Sequence, residues 1–191
     1  MSGRWFLLKQ FLRHPLQVGA IAPSGPALCR ELVSWLDDRS GAVAELGPGT
    51  GVVTREILRT QTPGSRFFAV ELDKDICSAL QNDLPDLKLY NADACQLPEL
   101  CRLEKIEKLD AVVSGLPWAA FPSELQHAIL SAITGSLKTG GKFSTFAYLQ
   151  GMVLPAGKRF RHLLEEYFSQ VDVSEVVWNN LPPAVVYRCI K

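Results

Sequence analysis

From about residue 41 onward the chain alternates between short apolar runs and longer stretches whose apolar positions recur at helical spacing. The runs at 42–46, 66–72, 87–91, 109–114, 141–148, 170–178 and 185–190 have strand length and strand composition. Between the early runs, residues 54–60, 74–83 and 123–136 read as helices, and Pro63-Gly64, Pro85, Gly115, Pro117, Gly140-Gly141 and Pro182-Pro183 punctuate the pattern. Such alternation predicts a doubly wound α/β fold: a seven-stranded, mostly parallel sheet with helices on both faces. A hairpin-like connection joins the last two runs, so the tail from Pro182 is expected to return as an antiparallel edge strand with its prolines at the start. Ahead of the sheet, residues 3–13 and 26–37 carry helical patterns. The expected organisation is an N-terminal helical extension, 1–40, and an α/β core, 41–191, within one structural domain.

Composition narrows the picture. With 191 residues, 47% hydrophobic and 21% charged, the chain can bury a core without metal or disulfide staples. Twenty basic residues balance twenty acidic ones, which counts against a polynucleotide partner, because phosphate binding feeds on basic excess. The five cysteines, Cys29, Cys77, Cys95, Cys101 and Cys189, form no C-x-x-C pair, so no metal site or disulfide framework is expected and a reducing compartment is. No apolar run reaches the roughly 18 residues of a spanning helix. Lys9, Arg13 and His14 interrupt the place where a signal peptide would be apolar. A cytoplasmic protein is expected, with no obligate protein partner.

The most informative segment is Ala42-Val43-Ala44-Glu45-Leu46-Gly47-Pro48-Gly49-Thr50-Gly51, a strand entering a glycine-rich turn and then a helix. Glycine admits positive φ and lets backbone approach a ligand closely. The spacing is G-x-G-x-G, whereas the dinucleotide fingerprint is G-x-G-x-x-G. Glu45 beside the turn suits a cationic ligand and would repel a pyrophosphate. Glu71, at the end of the second strand, can accept from both hydroxyls of a ribose. Asp93, after the third, is placed for the exocyclic amine of adenine, although each carboxylate taken singly also reads as a strand end or a helix cap. In sheet order the set points to S-adenosylmethionine (SAM). Gly47, Pro48, Gly49, Gly51, Leu72 and Ala94 complete its expected contacts.

These residues resemble the class I SAM-dependent methyltransferases. More narrowly, the chain resembles the bacterial phospholipid N-methyltransferase family, which is related to the rRNA adenine dimethyltransferases. The match is carried by Phe11-Leu12-Arg13-His14-Pro15 with Val18-Gly19-Ala20-Ile21-Ala22-Pro23-Ser24, by residues 45–54, by Ser114-Gly115-Leu116-Pro117 with Phe121-Pro122, and by Asn180-Leu181-Pro182-Pro183-Ala184. The resemblance implies a Rossmann-like methyltransferase fold and successive methylation of phosphatidylethanolamine to phosphatidylcholine. It also implies a segment ahead of the first strand that folds over the cofactor, bringing Ile21 and Ser24 close to it. The adenine dimethyltransferases carry an Asn at the start of the segment after strand four, where this chain has Ser114-Gly115-Leu116-Pro117-Trp118. That departure speaks against adenine as acceptor.

Acceptor chemistry is less legible. Ser114 and the carbonyls of Gly115 and Leu116, with Pro117 shaping the turn, are expected to receive the amine. Trp118 and Phe121 are expected to wall the acceptor or attract a methylated ammonium. His14, His127 and His162 read as structural or surface residues, and no general base is apparent. On a helical wheel Trp5, Leu7, Leu8, Phe11 and Leu12 share a face opposite Lys9, Gln10 and Arg13, with Phe6 on the polar side. That is the pattern of reversible docking on an anionic membrane, here the inner face, and equally of a helix packed on its own core. Three other readings stay open: methylation of a soluble small molecule, rRNA adenine N6-methylation, and a non-catalytic SAM-binding scaffold.

Overall fold

The computed structural model describes residues 25–36 and 41–191. The expected first helix, with Trp5, Lys9 and Arg13, lies outside the described residues, as do Ile21 and Ser24.

The chain runs α1 (Pro26–Val33), β1 (Ala42–Leu46), α2 (Val52–Thr60), β2 (Arg66–Glu71), α3 (Lys74–Asp83), β3 (Leu89–Asn91), α4 (Leu97–Leu103), β4 (Leu109–Ser114), α5 (Ser123–Ser136), β5 (Leu137–Tyr148), α6 (Leu149–Met152), α7 (Pro155–Tyr167), β6 (Gln170–Val173) and β7 (Ala184–Ile190). Short 3-10 turns at Ala94–Gln96 and Trp118–Ala120 follow β3 and β4. The seven strands form one sheet in the order β3-β2-β1-β4-β5-β7-β6. Pairing is parallel from β3 through β5, and β7 runs antiparallel to both β5 and β6.

The returning strand is therefore not at the edge as expected; it is inserted between β5 and β6. Burial explains the placement. Ala184, Val185, Val186, Tyr187 and Cys189 of β7 are all buried, so both faces of the strand need covering and both edges need partners. In β6, exposed Gln170 and Asp172 alternate with half-buried Val171 and Val173, a pattern that tolerates an open edge. That strand also stops at Val173, short of the expected 178, because the Ser174 hydroxyl takes the Val186 amide at 2.9 Å. Conversely, β5 begins at Leu137 rather than 141, with a register shift opposite Leu109 and Ala111.

All five residues of β1 are buried, since helices cover both sides. Ala42, Ala44 and Leu46 face a core shared with α4, α5 and α7, whereas Val43 faces α1 and α2 through Leu28, Leu32, Val53 and Ile57. Each such aliphatic side chain contributes about 1.5–3 kcal/mol by leaving water. The helix α1 is fastened from afar: the Ser144 hydroxyl donates to the Leu32 carbonyl at 2.9 Å, and Arg188 pairs with Glu31 at 2.6 Å. Just before α1, the Gly25 amide donates to Asn180 Oδ1 at 2.8 Å. The Asn180-Leu181-Pro182-Pro183 segment thus holds the base of the N-terminal extension.

Candidate cofactor and acceptor site

At the carboxyl end of β1 the chain turns through Gly47, Gly49 and Gly51, with φ of 72°, 55° and 76°, the left-handed region that disfavours side chains. The Gly47 amide donates to the Val70 carbonyl at 2.9 Å, tying the turn to β2. On the other side it meets the turn after β4. A Cβ added at Gly115 would lie 2.6 Å from the Gly47 carbonyl oxygen, so only glycine permits the two turns to touch. Around Gly49, by contrast, nothing lies within 4 Å of an added Cβ. That backbone borders open space.

The three carboxylates differ in surroundings. Glu71 is buried, yet it lines the cavity described below. Its Oε2 accepts the Gly49 amide at 3.3 Å and its Oε1 the Asp73 amide at 3.0 Å. Burial raises its pKa, and the backbone amides pull the other way. Glu45 shares the Val43 side of β1, under α2, where its Oε2 accepts the Thr54 hydroxyl at 2.7 Å. Burial pushes this carboxyl up to about 8, offset in part by Thr54 and reinforced by Glu71. Glu45 does not line the cavity; it braces the glycine turn from beneath. Asp93 Oδ1 accepts the Cys95 amide at 2.8 Å, and the Asp93 amide donates to Gln96 in return, the capping role the sequence also allowed. Its neighbours Ala92 and Ala94 line the cavity, as does Leu72.

Beyond β4, Gly115, Leu116 and Pro117 line the cavity, with Trp118 and Phe121. Ser114 does not. Its buried hydroxyl accepts the Leu116 amide at 3.3 Å and the Trp118 indole N–H at 3.1 Å, so it shapes the turn from inside. The Leu116 carbonyl accepts the Trp118 amide at 3.0 Å, and the Gly115 carbonyl has no hydrogen-bond partner among the described residues. Trp118 stacks on Phe160 with ring centroids 5.0 Å apart. His127 and His162 are exposed, bonded to Tyr167 and Glu165. Neither lines the cavity.

The cavity has a volume of about 520 Å³, within the usual range for a small-molecule site. One half is the glycine turn, Glu71, Leu72, Ile76, Ala92 and Ala94; the other is walled by Trp118, Phe121, Phe146, Tyr148, Leu154, Phe160 and Tyr187. Glu71 is the one carboxylate among the described lining residues, and no Lys, Arg or His joins it. Such a site favours cations. The sequence reading missed the wall supplied by β5, β7 and α7, because its members are ordinary apolar residues with no motif.

No family model matches the chain. It is 29% identical to an ornithine lipid N-methyltransferase of Singulisphaera acidiphila, over 99% of this chain and 96% of that protein. A ribosomal RNA small subunit methyltransferase A of Methylococcus capsulatus is 34% identical over 58% of this chain, which is 38% of that protein. Among solved structures, an O-methyltransferase of Bacillus cereus superposes with a TM-score of 0.68 over 100% of this chain and 92% of that one, at 13% identity. A second O-methyltransferase, from Streptomyces achromogenes and in complex with SAM, gives 0.64 over 100% and 91%, at 15% identity. The structural likenesses establish the fold, and the glycine turn closed by Glu71 fits a cationic nucleoside. This chain is a class I methyltransferase with S-adenosylmethionine as its methyl donor.

Proposed function

We propose that the chain N-methylates the amine of a membrane lipid. The observation that carries this reading is the cavity wall: among the described lining residues there is one carboxylate, no cation and a largely aromatic and aliphatic lining. That wall suits an apolar lipid carrying a neutral amine and rejects a polyanion. The similarity to a protein named for ornithine lipid N-methylation supports a lipid amine as acceptor, and the resemblance to the phospholipid N-methyltransferases implies phosphatidylethanolamine carried through to phosphatidylcholine.

In this reading the backbone of Gly47 to Gly51, with Pro48 between, holds the cofactor. Glu71 binds the ribose hydroxyls, and the Oδ2 of Asp93 takes the exocyclic amine of the adenine between Leu72 and Ala94. Ile21 and Ser24 close over it from the N-terminal extension. When bound, SAM supplies an electrophilic methyl group. The protein must then present a neutral amine, and the apolar wall does so by disfavouring the ammonium form. The Gly115 carbonyl accepts one amine N–H, while Leu116 and Pro117 fix its direction and Ser114 holds the turn.

Access from a bilayer is supported by the rim. Val153 (70% exposed) and Leu154 (56%) stand between α6 and α7, and Trp178 (69%) and Leu181 (83%) stand in the β6–β7 connection. Both segments lie at the carboxyl end of the parallel strands, joined where the Leu149 amide donates to the Pro183 carbonyl at 2.8 Å. Lys158 and Arg159 are exposed in the first turns of α7, which suits anionic headgroups. The stripe of Trp5, Lys9 and Arg13 would add a further contact.

Incubation with methyl-labelled SAM and vesicles containing phosphatidylethanolamine, or containing ornithine lipid, tests the reading. Label is expected in the lipid fraction of one of them as mono-, di- and trimethylated product. Label entering only soluble amines would overturn it.

A further inference from the structure

The strand β5 leaves β4 at a definite point. Their last register pair is Ser114 with Thr145. Continued by two residues, that register would set Leu116 opposite Ala147. Instead the Leu116 amide donates to Ser114 Oγ at 3.3 Å. The Gly115 amide donates to the Leu46 carbonyl at 2.8 Å, so the turn stays with β1 and a gap opens between β4 and β5. Phe146, Ala147 and Tyr148 all line the cavity, although neighbouring residues of a strand point to opposite faces. Phe146 and Tyr148 pack on the side of α1, and Ala147 on the side of α5 and α7. The cavity therefore meets β5 edge-on, across the gap from Gly115, Leu116 and Pro117.

Ala147 is the small member of this edge. Below it on the same face, Phe143 and Thr145 are sealed at 0% exposure, whereas Ala147 is half-buried, so its methyl group forms cavity surface. Its neighbours Phe146 and Tyr148 are bulky, and their rings meet edge-on with centroids 5.5 Å apart. Sheet propensity favours a larger, β-branched side chain at such a position. Alanine leaves space beside the turn instead.

We propose that Ala147 determines how many methyl groups the site adds, by leaving room beside the amine for those already attached. The inference rests on the lipid-amine reading. In each transfer the nitrogen lone pair forms an N–C bond as the C–S bond of the donor breaks, and that bonding pair leaves with sulfur as a neutral thioether. The ammonium formed in each of the first two transfers gives a proton to water before the next. The third transfer leaves a quaternary ammonium with no proton to lose. The primary amine thus brings no methyl group to be housed, its monomethyl form one and its dimethyl form two. Valine at this position adds two carbons to the wall and takes up the space of those two groups.

The test is Ala147→Val assayed on vesicles of the primary, monomethyl and dimethyl aminolipid supplied separately, with SAM affinity measured by calorimetry and folding by thermal melting. One methylene too many in a packed pocket changes kcat/KM by roughly 10–200-fold. We expect kcat/KM to stay within about twofold on the primary lipid and to fall by about tenfold or more on the dimethyl lipid, with SAM affinity and Tm unchanged. Should valine lower Tm, Ala147→Ser, one atom larger than the native residue, repeats the comparison and should lose turnover on the dimethyl lipid alone. An equal loss on all three acceptors, or weaker SAM binding, would overturn the proposal. Undiminished turnover of the dimethyl lipid by the variants would overturn it as well, as would a wild-type chain that methylates the primary lipid and not the dimethyl one. If the wild-type chain methylates none of the three lipids, the lipid-amine reading itself has failed.

Discussion

Glu45 shows how a single carboxyl sets a pH dependence. Its folded-state pKa of about 8 lies above the ordinary glutamate value of 4.5, chiefly through burial. Above 4.5 the unfolded chain releases a proton that the folded chain retains. The stability Glu45 contributes is thus fully present below 4.5 and is lost as pH rises through about 8. Glu71 is shifted the same way and keeps its own share. Glu45→Gln preserves an acceptor for the Thr54 hydroxyl and removes the titration, so melts at pH 5, 6.5 and 8 should show a shallower decline in Tm than wild type. Superimposable declines would refute the assignment. At this scale the sequence was partly legible. Glycines that need positive φ announce themselves, and Glu71 sits where strand end and turn meet. The direction in which Glu45 and Ser114 point was not legible, because strands covered on both faces are apolar on both, and nothing in the letters marks the inner side.

At the scale of elements, the strand order follows from rules that the hydrophobic pattern already obeys, and the missed pieces have physical reasons. The helix α7 starts on Pro155 and contains Gly157, two residues that argue against a helix when read locally. Pro155 occupies the first turn, where no amide is needed. Gly157 lets α6 and α7 touch: a Cβ there would lie 2.2 Å from the Gly151 carbonyl oxygen. Gly157→Ala must push the two helices apart. Overpacking of this kind costs about 1–3 kcal/mol, which for a chain of this size lowers Tm by roughly 3–10 °C. The cofactor half lies on other elements, so calorimetric SAM affinity should hold while lipid turnover falls. Loss of SAM binding would mean that the two halves are not separable in this way.

For the whole molecule, the distribution of exposed apolar side chains is the telling property. Of the six large hydrophobics exposed among the described residues, Leu154 lines the cavity with Val153 beside it, Trp178 and Leu181 stand in the β6–β7 connection at the same end of the sheet, and Leu58 and Leu103 lie elsewhere. No helix among the described residues is long and apolar enough to cross a membrane, so contact with a bilayer would be made by the rim and the N-terminal stripe. Replacing Val153, Leu154, Trp178 and Leu181 together by Ser should reduce co-sedimentation with anionic vesicles by at least tenfold, given about 25 cal/mol for each Å² of apolar surface withdrawn from water. Unaltered sedimentation would remove the rim from the docking surface. The sequence hinted at Leu181 through its motif, but Val153 and Trp178 emerge only once folding brings their loops to one end of the sheet.

The contact between Gly115 and the Gly47 carbonyl has a thermodynamic corollary. With no clearance between them, neither turn can shift unless the other yields, and a ligand that stiffens one stiffens both. Linkage then makes the benefit mutual: the factor by which a seated nucleoside tightens the grip on the lipid equals the factor by which the lipid delays the nucleoside's escape.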